Sequence, residues 1–110
     1  MLMDDQLRAE TAKIILADRE DRYVIFPSDI FDEYAWTMLL NLFVAFASGN
    51  VLTEKMLLKQ VHTSKTTGQR WLYQLAKDGQ VEIRMAGEDV KLTEGAIMKL
   101  RGYLDTVRQR

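Results

Sequence analysis

The sequence predicts a mainly helical fold with one small β-hairpin, an α+β class, and three observations lead to this prediction. Apolar residues recur at helical spacing through most of the 110 residues. Residues 81–92 instead alternate between apolar and polar side chains, which is typical of a short hairpin. The composition, 47% hydrophobic and 28% charged, is that of an ordinary globular domain, and a chain of this length holds one core.

The first third of the chain predicts a helix followed by an extended arm. A helix is expected over residues 4–20, with a stripe at helical spacing formed by Leu7, Thr11, Ile14, Ile15 and Asp18. Residues 22–26 are β-branched and aromatic and precede Pro27, a pattern that favours extended backbone. We therefore predict that residues 1–27 form a helix and arm that serve dimerisation, and that residues 28–110 form the remaining domain.

The second predicted helix spans about residues 29–47 and forms the centre of the core. Ser28 and Asp29 are good N-cap residues, and acidic side chains follow in the first turn, where the helix dipole favours them. The helix is apolar on nearly all sides, as a buried helix must be. Residues 48–50 end it.

The second half of the chain predicts a helix-turn-helix. A short helix is expected over 54–60, a turn over 61–63, and a longer helix over 65–78 that Ser64 caps and Gly79 ends. The hairpin over 81–92 then completes a winged helix-turn-helix. A last helix over 94–108 buries an apolar stripe formed by Ile97, Leu100, Leu104 and Val107.

The helix over 65–78 has two chemically different faces. Gly68, Leu75 and Ala76 lie within about 60° of Leu72 around the helix axis and form the buried face with it, where Gly68 permits close approach of the preceding helix. The opposite face holds no acid before Asp78 and carries groups suited to DNA: arginine for guanine, glutamine for adenine, threonine for methyl groups or phosphates. Arg84 in the hairpin either reaches a phosphate or pairs with an acid such as Asp89. The residues expected to contact DNA are Ser64, Lys65, Thr66, Thr67, Arg70, Tyr73, Gln74 and Arg84.

From about residue 52 to residue 100 the sequence resembles the MarR-like winged helix-turn-helix transcription regulators. The matching words are Leu52-Thr53, Ser64-Lys65-Thr66-Thr67, Arg70, Leu75, Lys77-x-Gly79-x-Val81 and Leu92-Thr93-Glu94-Gly95. The resemblance implies a homodimeric regulator of transcription whose recognition helix, here 65–78, lies in the major groove.

Composition argues against an enzyme. The chain has no cysteine and one histidine, His62, so disulfides, thiolate zinc sites, iron–sulfur clusters and cysteine nucleophiles are excluded. We expect no catalytic residue, no metal and no cofactor. The net charge of −1 divides into −5 over residues 1–36 and +4 over residues 37–110, which is compatible with a polyanionic partner.

The expected partners are double-stranded DNA and a second copy of the chain, which docks through helices 4–20 and 94–108. One alternative is an interaction module that binds proteins and not DNA, which the acidic hairpin tip at 86–89 favours. Another is a switch that responds to a small-molecule effector, although no residue identifies one. The acidic N-terminus and the absence of a long apolar segment lead us to expect a cytoplasmic protein without a membrane span.

Overall fold

The computed structural model of the chain describes residues 3–25 and 34–108, and the secondary structure in these ranges is entirely helical. The five helices are α1 (Met3–Ile25), α2 (Tyr34–Ala47), α3 (Glu54–Gln60), α4 (Lys65–Lys77) and α5 (Glu94–Arg108). Turns and loops connect them. The predicted limits of α3, α4 and α5 are therefore confirmed to within one residue.

The predicted β-hairpin is wrong, and so is the α+β winged fold that includes it. Within the described ranges the structure contains no strand, and residues 81–92 take part only in two isolated antiparallel bridges, Val81 with Leu92 and Leu52 with Val90. Over residues 84–89, side chains form hydrogen bonds with backbone groups that the strands of a hairpin would pair with each other. Arg84 donates to the carbonyl oxygens of residues 88 and 89, and the carboxylate of residue 88 accepts from the N–H of residue 85.

The expected apolar face of this segment forms only at its two ends. Val81 is buried at one end and Val90 and Leu92 at the other, whereas Ile83 is 92% exposed and Met85 is 75% exposed. The alternating side chains between the two ends therefore cover no surface, and we refer to residues 82–89 as the acidic loop.

The extended arm predicted over 22–26 is wrong for its first four residues, because α1 continues as a helix to Ile25. The preference of β-branched and aromatic residues for extended backbone is weak and depends on context. Phe26, Pro27 and the predicted caps Ser28 and Asp29 lie outside the described residues.

The core is built around α2, as the sequence predicted. Its Met38, Leu40 and Phe43 are almost fully buried, and α2 packs against α1, α3 and α4. Apolar residues from the last helix complete the cluster, notably Leu100 and Leu104.

The buried face of α1 matches the predicted stripe only in part, since Thr11 is buried and Ile15 packs against the core, but the other members are exposed. Leu7 and Ile14 are exposed, and α1 instead buries Ala9 and Ala12 together with the carboxylate of Asp5. Small side chains bring α1 close to its neighbours α2 and α5.

An ionic network joins α1 to α5. Asp5, which is fully buried, accepts hydrogen bonds from Arg101 at 2.8 and 2.7 Å and from Arg8 at 2.9 Å. Arg8 also makes two hydrogen bonds to Asp105, at 2.7 and 2.8 Å. The network holds two positive and two negative groups, so its charges balance.

Candidate functional site

The helix-turn-helix is the best-supported feature of the predicted site. The turn reverses the chain at His62, whose φ of 59° lies in the left-handed region, and Val61 is buried beneath it. A Cβ atom on Gly68 would run into the side-chain carbons of Leu58. The close approach predicted at Gly68 is thus confirmed, and it sets the position of α4 on α3.

The start of α4 is capped as the sequence predicted. The Ser64 hydroxyl accepts from the Thr67 N–H at 3.2 Å, and the Ser64 carbonyl accepts from the Gly68 N–H at 2.8 Å. Ser64 and Lys65 are exposed at this end, where the helix dipole contributes positive potential. The arrangement suits an anion such as a phosphate.

The two faces of α4 are those that the helical spacing predicted. Gly68, Leu72 and Leu75 are buried, and Ala76 is half-buried beside them. The opposite face reaches solvent through side chains with hydrogen-bonding or charged ends: Thr66, Arg70, Tyr73, Gln74 and Lys77 are exposed, and Thr67 is half-buried.

Several of these exposed groups border a shallow depression along the helix. Its volume is about 750 Å³, and it is lined by Thr66, Thr67, Gln69, Arg70, Trp71, Tyr73 and Gln74. Tyr73 is 71% exposed and stands out from the rim. The Gln74 amide donates to the Asp78 carboxylate at 3.0 Å, which orients it along the helix.

The surface around α3 and α4 is positively charged. Five basic and two acidic residues lie between residues 53 and 78. One of the acids, Asp78, follows the end of α4, and the other, Glu54, is buried and paired. The exposed part of this surface is therefore basic along most of α4.

Arg84 pairs with an acid, which is one of the two arrangements that the sequence left open, but the acid is Glu54 and not Asp89. Its guanidinium is 2.6 Å from the Glu54 carboxylate, the two side chains being 10% and 5% exposed, and it also donates to backbone carbonyls of the acidic loop. The alternative that we considered, a pair with the carboxylate of Asp89, is replaced by a bond to the Asp89 carbonyl at 3.0 Å. Arg84 thus holds the acidic loop and is not presented to a phosphate.

Glu54 is the residue that sequence reasoning missed. Its carboxylate also accepts from the Gln69 amide at 2.9 Å and from the Gly87 N–H at 3.2 Å. Burial raises the pKa of Glu54, but the hydrogen bonds from Arg84, Gln69 and Gly87 together outweigh burial and hold that pKa below its usual value. In the sequence Glu54 is an ordinary acid in the first turn of a helix, so no local signal marks it.

Within residues 3–25 and 34–108, no group of three or more histidine, aspartate or glutamate side chains is arranged to hold a metal ion. In the same part of the chain, no helix has the length and apolar character that crossing a membrane requires.

Comparison with protein-family models, with curated proteins and with solved structures found no match to this chain.

Proposed function

We propose that the chain is a homodimeric DNA-binding regulator of transcription, acting in the cytoplasm, whose helix α4 reads the major groove. One observation carries this proposal. The exposed face of α4 presents cations and hydrogen-bonding groups with no acid before Asp78, while the opposite face is anchored in the core. The resemblance of residues 52–100 to MarR-like regulators points to the same role.

The dimensions and side chains of α4 suit the groove. Its 13 residues span about 20 Å, and the major groove, about 12 Å wide, admits an α-helix. Arg70, near the middle of the exposed face, is the candidate for guanine, and Gln74 one turn later is the candidate for adenine. Lys65 and the start of α4 are the candidates for a phosphate.

A second copy of the chain completes the proposed interface. A single helix buries little surface against DNA, and two helices about 34 Å apart meet successive turns of the major groove. Because parts of α1 and α5 pack against each other, only their outer faces remain for a dimer. The exposed large apolar side chains on the described part of these two helices are those of Leu7, Ile14, Met98 and Tyr103.

A protein partner in place of DNA is the second candidate, and the acidic loop favours it. Ile83 and Met85 are exposed beside three acids of the same loop, Glu82, Glu88 and Asp89. An apolar and acidic surface of this kind suits a protein more than a polyanion.

Selection from a pool of random duplexes tests the proposal. We expect one family of sequences to be enriched, with binding that weakens steeply as salt rises. Arg70→Ala should weaken binding to the selected sequence by about 1–3 kcal/mol and leave binding to unrelated DNA almost unchanged. Lys65→Ala should weaken both, because a phosphate contact carries no sequence information.

Lys99→Ala is the matched control for the DNA contacts, since Lys99 is an exposed cation on α5 and not on α3 or α4; light scattering should show that this variant keeps the mass of the parent protein. It should behave as the parent protein does. Failure to enrich any sequence, together with weak salt dependence, would favour the protein partner.

A further inference from the structure

A second concave surface lies beside the first, and Gln69 lines both. It is a groove of about 640 Å³ between α3, the start of α4 and the turn at residues 86–87. This volume is within the range of small-molecule sites. Three lysines line it, Lys55, Lys59 and Lys65.

The three lysines converge from two helices. Lys55 and Lys59 are one turn apart on α3 and therefore share a side of that helix, and Lys65 is the first residue of α4. All three are exposed, and none forms an ion pair within the part of the chain that the structure describes.

The one acid that lines the groove does not balance these charges. Glu54 is paired with Arg84, and its two oxygens also accept from Gln69 and Gly87. Its negative charge is therefore already offset, and the groove keeps an excess of three positive charges.

The remaining lining is apolar or already hydrogen-bonded. Leu58 and Ala86 line the groove with apolar atoms. The Thr53 hydroxyl accepts a hydrogen bond from the Met56 N–H, and the Thr63 hydroxyl donates one to the Ser64 carbonyl. The charged groups left to bind a ligand are the lysine ammonium groups, which bind phosphate as point charges, and the O–H of Thr53 can still donate.

We infer that this groove is a phosphate-binding site, filled by a compact polyphosphate such as the chain of a nucleoside triphosphate or by the backbone of a nucleic acid. Lys65 also belongs to the start of α4, so a free polyphosphate in the groove and DNA on α4 compete for the same cation. By linkage, each then weakens the other by the same factor.

Isothermal titration with tripolyphosphate at low salt tests the site directly. The parent protein and Lys99→Gln should bind it, and the double variant Lys55→Gln/Lys59→Gln should bind at least about tenfold more weakly, because two charged contacts are lost. Both lysines are exposed, so thermal unfolding should confirm that the double variant folds as the parent does.

A second titration with duplex DNA distinguishes the two sources of phosphate. If the backbone of DNA fills the groove, tripolyphosphate binds weakly to the parent protein and to the variants alike. The slope of log affinity for DNA against log salt concentration should then be shallower by about 1.8 for the double variant than for the parent, because two phosphate contacts are lost. If the double variant matches the parent in both titrations, the inference is wrong. Arg70→Ala should leave tripolyphosphate binding intact, so loss of the proposed DNA recognition and loss of this site can be told apart.

Discussion

Gly68 lies in the interior of α4, where glycine costs about 1 kcal/mol relative to alanine. The packing explains why it is there, since Leu58 occupies the space that a Cβ atom would need. Leu58 is itself buried, so it can move only by disturbing the core. The close packing of α3 on α4 therefore requires glycine at this position, although glycine lowers the helix propensity of α4.

Gly68→Ala should therefore destabilise the protein, by about 1–3 kcal/mol, in spite of its better helix propensity. Urea unfolding measures the change. Gly102→Ala on α5 is the matched control, because nothing lies within 4 Å of the Cβ position and the residue is exposed. The control should be stabilised by up to about 1 kcal/mol. Equal stabilisation of both variants would contradict the packing argument.

Between α1 and α5, a network of charged groups that the sequence did not predict accompanies the apolar contacts. Arg101 holds the pKa of Asp5 below its usual value; burial opposes this effect, and Arg8 adds to it. Arg8 likewise lowers the pKa of Asp105. A buried carboxylate with this many partners is costly to disturb, because removing it leaves two guanidinium groups facing each other.

Asp5→Ala should lower the free energy of unfolding by about 3–5 kcal/mol, because it breaks a buried network by removing one partner. Denaturant unfolding measures it. Asp4→Ala is the control: Asp4 is the exposed neighbour of Asp5, and its replacement should change stability by no more than about 0.5 kcal/mol. Similar losses in the two variants would show that Asp5 is not the centre of the network.

The pH dependence of stability follows from the lowered pKa values of Asp5 and Glu54. A carboxyl whose pKa is lower in the folded state stabilises the protein above its unfolded pKa, about 3.9 for Asp and 4.3 for Glu, and this contribution is lost as pH falls through the folded pKa. We expect the free energy of unfolding to decline below about pH 4 for this reason.

Comparison of the parent with Asp5→Asn and Glu54→Gln from pH 7 to pH 2 tests this expectation. The gap in unfolding free energy between the parent and each variant should narrow as the pH falls below about 4, because the parent then loses the same charge. If the difference in unfolding free energy stays constant down to pH 2, the contribution of these residues comes from packing and not from their charge.

At the scale of the whole molecule, several parts of the described surface expose apolar side chains, and two of them are candidate contacts for partners. Ile14 and Met98 lie on α1 and α5, and Ile83 and Met85 lie on the acidic loop. Exposed apolar groups of this kind are typical of interaction surfaces. The surface with Ile14 and Met98 is the candidate for contact with a second copy of the chain, because the acidic loops of two copies would repel each other.

We expect light scattering at micromolar concentration to give a mass of twice 12.7 kDa. Ile14→Lys should reduce the mass to that of one chain without unfolding it, because Ile14 is 70% exposed. Ile83→Lys, the same change at a position of the acidic loop that is 92% exposed, should leave the dimer intact. A single-chain mass for the parent protein would contradict the homodimer.

The sequence by itself determined the helix-turn-helix and which face of α4 is buried in the core. The caps at Thr53 and Ser64, the left-handed Gly79 after α4, and the buried face at Leu72 all follow from signals that operate within a few residues. Cap hydrogen bonds and helical periodicity need no distant partner, so local reading was enough. The exposed face of α4 follows from the same periodicity.

Only the tertiary structure decided what holds α1 and the acidic loop in place. Arg84 donates a hydrogen bond to Glu54, which is 30 residues away in the sequence, and Arg101 donates one to Asp5, which is 96 residues away. Charged side chains at such separations carry no periodic signal, and each has many possible partners until the chain is folded. For the same reason the alternation at 81–85 was misleading: whether a segment pairs as a hairpin depends on a surface to cover, and here Arg84 turns inward and bonds the backbone instead.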